Sequence, residues 1–116
     1  MLISIKLFVI DGRDDEYVVT VKNAINEVTK RLYLKGNLVR FVSVRVNREF
    51  LDIIRSMILG GEGPAEFVPI VNELREYEIF DLPALVINGK KVFEGRALGP
   101  SEVGDLVIRR IMELID

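Results

Sequence analysis

The chain has 116 residues, 49% of them hydrophobic and 29% charged, with a formal net charge of -2. One domain of that size buries roughly two-thirds of its unfolded surface, and this aliphatic content with balanced charge excludes intrinsic disorder. Cys, His, Trp and Gln are absent, which removes disulfides, thiolate nucleophiles, zinc–thiolate sites and both Ser-His-Asp and Cys-His catalysis. No uncharged apolar run approaches the ~20 residues of a membrane helix, and residues 1–6 show no secretory leader pattern. The expectation is a soluble cytoplasmic protein with no membrane partner. A net charge near zero with scattered basic residues predicts no nucleic-acid partner. Abundant Glu and Arg, a Val/Ile-rich interior and no Gln fit adaptation to high temperature.

Residues 2–10 alternate and then run apolar through Phe8-Val9-Ile10, which predicts a strand buried on both faces at its end. Asp11-Gly12-Arg13-Asp14-Asp15 breaks it. Tyr17, Val18, Val21, Ala24, Ile25, Val28 and Leu32 recur at helical spacing, with acids at the start and Lys30-Arg31 near the end. Gly36-Asn37 is expected to close that helix. Residues 38–46 are β-branched and almost continuously apolar, the pattern of a central strand.

Asn47 is the expected N-cap of a helix carrying Phe50, Leu51, Ile53, Ile54, Met57 and Ile58. Gly60-Gly61-Glu62-Gly63-Pro64 interrupts it, and a further helix starts near Ala65. Residues 82–87 and 90–94 are short apolar runs joined by Asn88-Gly89, the strongest short-range hairpin signal. Gly99-Pro100-Ser101-Glu102 opens a last helix through Val103, Leu106, Val107 and Ile111. The order β-α-β-α(α)-β-β-α predicts one α/β sandwich over residues 1–116, with the middle helix split in two. A right-handed parallel crossover and an antiparallel hairpin edge make its sheet four-stranded and mixed, with helices on both faces.

This order resembles the thioredoxin fold, and the stretch Ile79-Phe80-Asp81-Leu82-Pro83-Ala84-Leu85-Val86-Ile87-Asn88-Gly89-Lys90 through Gly95 resembles that fold's second half. In the family a proline opens the third strand with a cis peptide bond, a tight hairpin follows, and a glycine leads to the terminal helix. Pro83, Asn88-Gly89 and Gly95 match these positions. Family oxidoreductases carry Cys-x-x-Cys, or one Cys, where strand one meets the first helix. Here that junction reads Asp11-Gly12-Arg13-Asp14-Asp15-Glu16. The resemblance therefore implies the fold without the dithiol activity.

The backbone beside the family's proline pairs with an extended peptide or a thiol ligand. The resemblance thus implies a binding groove between Gly12-Arg13 and Leu82-Pro83. Glu94-Gly95-Arg96 also resembles the acid-serine pair of glutathione-transferase-type domains, with Gly95 replacing the serine and Tyr17 a loose stand-in for their activating hydroxyl. Asp11, Asp14, Asp15 and Glu16 admit a hard-metal reading. Arg13 in their midst and the dipole of a helix start favour capping instead, so no metal is expected. Gly60–Pro64 lacks the Gly-Lys-Ser/Thr ending of a phosphate cradle, and Lys90-Lys91 guards a sheet edge. Phe50, Phe67, Tyr77 and Phe80 are expected in the core, and the apolar surplus of the middle helices points to a partner or self-association surface. The expected function is a redox-inactive module that holds a protein partner or forms a homodimer, with no catalytic residue and no cofactor. The alternative is a carrier or enzyme for a metal or glutathione-like thiol, built on residues 11–17 and Pro83.

Overall fold

The computed structural model describes residues 2–34 and 38–115. Strand β1 (Ile3–Ile10) is followed by helix α1 (Asp15–Arg31), strand β2 (Val39–Val46) and helices α2 (Leu51–Ile58) and α3 (Val68–Glu76). Strands β3 (Ala84–Ile87) and β4 (Lys90–Glu94) and helix α4 (Pro100–Ile115) complete the chain. This is an α/β protein with a four-stranded mixed sheet in the order β2-β1-β3-β4, β1 parallel to β2 and antiparallel to β3. No described helix is long and apolar enough to cross a membrane.

Apolar side chains on both faces of β1 divide the interior in two. Ile3, Ile5, Leu7 and Val9 pack with α1 and α4 on one face. Phe8 and Ile10 pack with α2 and α3 on the other. Gly104 lets α4 approach α1 closely, since a Cβ there would stand 2.8 Å from Thr20 Cγ2. Lys6, a charge on this inner strand, is met by Glu73 from α3 at 2.7 Å. That hydrogen bond holds the ammonium above its usual pKa although partial burial works against it.

The hairpin forms as expected, with Asn88 at φ 50° and Gly89 at φ 80°, the left-handed pair of a tight two-residue turn. The Leu82–Pro83 peptide bond is cis. Asn47 caps the 3-10 turn Arg48–Phe50 that leads into α2, accepting from the Glu49 amide at 2.9 Å.

Other expectations are corrected. β2 lies at the sheet's edge, not its centre, and is mostly half-exposed; its apolarity on two faces mimics that of an inner strand. Phe50 and Phe80 are 40% and 58% exposed, and Phe67 and Tyr77 only flank the second core. Split, short α2 and α3 are too narrow to bury four rings in addition to their aliphatic stripe. Gly36 and Asn37 lie outside the described residues. Helix α1 already ends at Arg31, where Tyr33 takes φ 54° and Leu34 N donates to the Thr29 carbonyl. Such a bond from beyond a left-handed residue satisfies carbonyls left over at a helix end.

Candidate functional site

Arg13, at the junction of β1 and α1, reaches the segment before β3. Gly12 turns at φ 80° and its amide donates to Asp15 Oδ1 at 3.2 Å. Asp14 occupies the N-cap position of α1, yet its side chain caps nothing. The carboxylate is fully buried and accepts from the Ile10 amide at 2.9 Å and from Arg13 Nε and Nη2 at 2.9 and 3.0 Å. The capping expectation is thus corrected at Asp14: an adjacent guanidinium and a strand-end amide are better partners than the open first turn. Asp15 and Glu16 do stand in that turn, where negative charge complements the dipole.

Arg13 carries the connection across the groove. Its Nη2 donates to the Leu82 carbonyl at 2.7 Å, while Leu82 N donates to Asp81 Oδ1 at 2.9 Å. Both backbone polar groups of Leu82, those an incoming extended chain would use, already have partners. The Pro83 carbonyl accepts from Gly95 N at 2.8 Å. Arg13 and Leu82 are therefore brought together, with Gly12 and Pro83 as their chain neighbours, and the Arg13 guanidinium that pairs with Asp14 also crosses to the Leu82 carbonyl. The nearby apolar cleft under Phe80, Leu51 and Leu82 encloses only about 10 Å³.

The other candidate groups are occupied as well. The Tyr17 ring is buried against Phe93, and its hydroxyl donates to the Leu98 carbonyl at 2.6 Å. Arg96 lies over the same ring at 5.9 Å. Asp11 and Asp15 both accept from Arg45 Nη1 at 3.1 Å. Among the described residues no three acidic side chains gather in a way that could hold a metal ion.

Glu94, at the end of β4, is bonded through both carboxylate oxygens. One oxygen accepts from the Phe80 and Asp81 amides, each at 2.8 Å, and the other from Lys91 at 2.6 Å. Lys91 also donates to the Glu78 carbonyl. Burial pushes the Glu94 carboxyl up, but the bonds from Lys91 and the two amides outweigh it and hold it below the usual carboxylate range. A lowered carboxyl pKa stabilises the fold fully above its ordinary value, and that contribution disappears as pH falls through the lowered one. Below about pH 4.5, Glu94→Gln is therefore expected to flatten the acid limb of a plot of urea midpoint against pH. An acid limb as steep as that of the parent protein would assign it to other carboxylates.

Arg13, Leu82 and Glu94 all act across long stretches of chain, a geometry that spacing along the sequence does not reveal. What the site can do is limited by what is free: the carboxylates of Asp11, Asp14, Asp15 and Glu94, the Tyr17 phenol and the Leu82 backbone are bonded internally. No family model, curated protein or solved structure matches the chain.

Proposed function

We propose that the chain is a thioredoxin-like module that has no thiol chemistry and works by holding another polypeptide. The strand order β2-β1-β3-β4, the parallel β1–β2 crossover and the hairpin after Pro83 support that fold assignment. One observation carries the functional reading: Arg13, held by buried Asp14, donates to the Leu82 carbonyl. The position at which relatives of that fold hold a reactive thiol against a substrate backbone is here an ion pair bonded to the protein's own backbone. The tip has become a brace, which leaves the outer surfaces to meet a partner.

Two assays test this reading. Insulin reduction by dithiothreitol should run at the blank rate in the presence of the pure protein. Thermal denaturation should show no saturable shift with magnesium, calcium, manganese or glutathione. A folded-state ligand at ~100 times its dissociation constant adds about 2.7 kcal/mol, or roughly 10 °C in a domain of this size. A shift of that size that vanished in Tyr17→Phe or Asp14→Asn would replace the module with a small-ligand carrier.

A further inference from the structure

The two edges of the sheet are built differently. β4 is five residues long, begins Lys90-Lys91 and slips register opposite Leu85 and Val86. Short length, lysines and irregularity are common means of keeping an edge from pairing. β2 has none of these. It is eight residues long, contains neither Lys nor Pro, and pairs with β1 without a break from Ile3↔Val39 to Ile10↔Val46. Val42 is 43% exposed, and Phe41 is half-buried beside a groove of about 300 Å³ between β2 and α1.

The backbone of β2 shows what the edge offers. Asp11 N donates to the Val46 carbonyl, so Val46 turns its polar groups toward β1. Backbone groups alternate in direction along a strand. The N–H and C=O of Val39, Phe41, Ser43 and Arg45 therefore face away from the sheet.

We infer that β2 pairs antiparallel with β2 of a second copy about a two-fold axis at Val42, making one continuous sheet. This rests on the proposed function and names its partner. An axis normal to the sheet keeps every side chain on its own face, so residues that meet must be an even number of positions apart. Centring at Val42 sets Phe41 against the partner's Ser43 and Val39 against the partner's Arg45. Every outward N–H and C=O then has a complement. Centring at Ser43 instead sends Val39 past the end of the facing strand. At the axis Val42 meets its own copy in a non-hydrogen-bonded pair, where side chains approach most closely. Arg40 stands opposite the partner's Val44, so no two arginines face each other.

The flanking helix supplies charge complementarity. α1 opens with Asp15-Glu16 and closes with Lys30-Arg31, and the axis runs the two α1 helices antiparallel. Asp15 is anchored to Arg45, while Thr29 shares the groove with Val39 and Phe41. At about 1.5 Å per helical and 3.3 Å per strand residue, the middle of α1 is level with Val42. The acidic end of one α1 thus lies beside the basic end of the other, with opposed dipoles. Lys22, near the axis, faces its own copy, a repulsion set against the attraction at both ends. Such charges orient the encounter more than they hold it. The interface is isologous and closes on itself, which ends assembly at two copies.

Sedimentation equilibrium at micromolar concentration should find a dimer of the wild-type protein. Val42→Lys and Val42→Glu should each sediment as monomers with unchanged circular dichroism, because each sets like charges against each other at the axis. Mixing the two should restore the dimer mass. Ser43→Pro, which removes an outward N–H and no bond to β1, should also give monomers. A monomeric wild type, a Val42→Lys variant that stays dimeric, or a mixture that stays monomeric would each overturn this pairing. A monomer inert toward insulin would leave the module reading intact with an extended peptide as its occupant. A dimer that reduced insulin would sink that reading and leave the pairing standing.

Discussion

Replacing Asp14 with alanine is expected to lower the unfolding free energy by about 3 kcal/mol, the low end of the range for breaking a buried ion pair from one side. The low end applies because the Arg13 side chain is 24% exposed while that of Asp14 is fully covered. Three donors lose their acceptor at once: the Ile10 amide, Arg13 Nε and Arg13 Nη2. The amide is buried at the end of an inner strand, and an unpaired buried donor alone costs about 1–3 kcal/mol. In a domain of this size the melting temperature should fall by roughly 10–15 °C.

Arg13→Ala should cost at least as much, about 3–5 kcal/mol, because it leaves the fully buried Asp14 carboxylate without its counter-charge and the Leu82 carbonyl without its donor. The double variant should cost clearly less than the two single losses together, since the second deletion strands no new charge. Urea denaturation of the four proteins measures that coupling. A loss below about 1 kcal/mol for Asp14→Ala, within the range of an ordinary surface ion pair, would show that the brace across the Leu82 groove contributes little to holding the tip shut.

The origin of that brace explains what the sequence could and could not reveal. Features set by neighbours along the chain were legible: the apolar run at Phe8-Val9-Ile10, the turn at Asn88-Gly89 and the start of α4 at Pro100. Arg13 and Leu82 lie 69 positions apart, and nothing in the spacing of Asp11 to Glu16 announces an arginine that reaches that far. Helix ends were half legible. Gly60 closes α2 with a left-handed turn, but Tyr33 and Glu78 do the same work for α1 and α3 at φ 54° and 58°. A search for glycine passes over both, because tertiary packing sets where these helices must stop.

The edge position of β2 is not legible in its sequence for a more instructive reason. Continuous apolarity reports that both faces of a strand meet other atoms, not that both edges are paired. Within one copy its faces are only partly covered, by α1 on one side and α2 with α3 on the other. The composition of its faces therefore does not reveal whether its outer edge, where the pairing at Val42 is proposed, is free or filled.

Phe8→Ala is expected to be as damaging as any single truncation in the molecule, at about 3–5 kcal/mol. The ring is fully buried on β1, with Val44 beside it on β2 and Ala84 on β3. Ala84 leaves the volume that the ring fills, and Tyr77 of the turn after α3 lies 6.1 Å away in a tilted arrangement. The cavity left by truncation is walled by two backbone ladders, which cannot collapse inward, so little of the loss is recovered by relaxation. Phe80→Ala removes an equally large side chain that is 58% exposed, and should stay within about 0.5 kcal/mol of the parent. Phe50→Ala falls between, because the ring is 40% exposed but packs on Phe67 at 5.0 Å, a contact of about 0.5–1.5 kcal/mol. Equilibrium unfolding in urea should rank the losses Phe8, then Phe50, then Phe80. Comparable losses at Phe8 and Phe80 would mean that Phe80 is covered in solution, and the surface around Phe80 rather than the β2 edge would then be the first place to look for the partner.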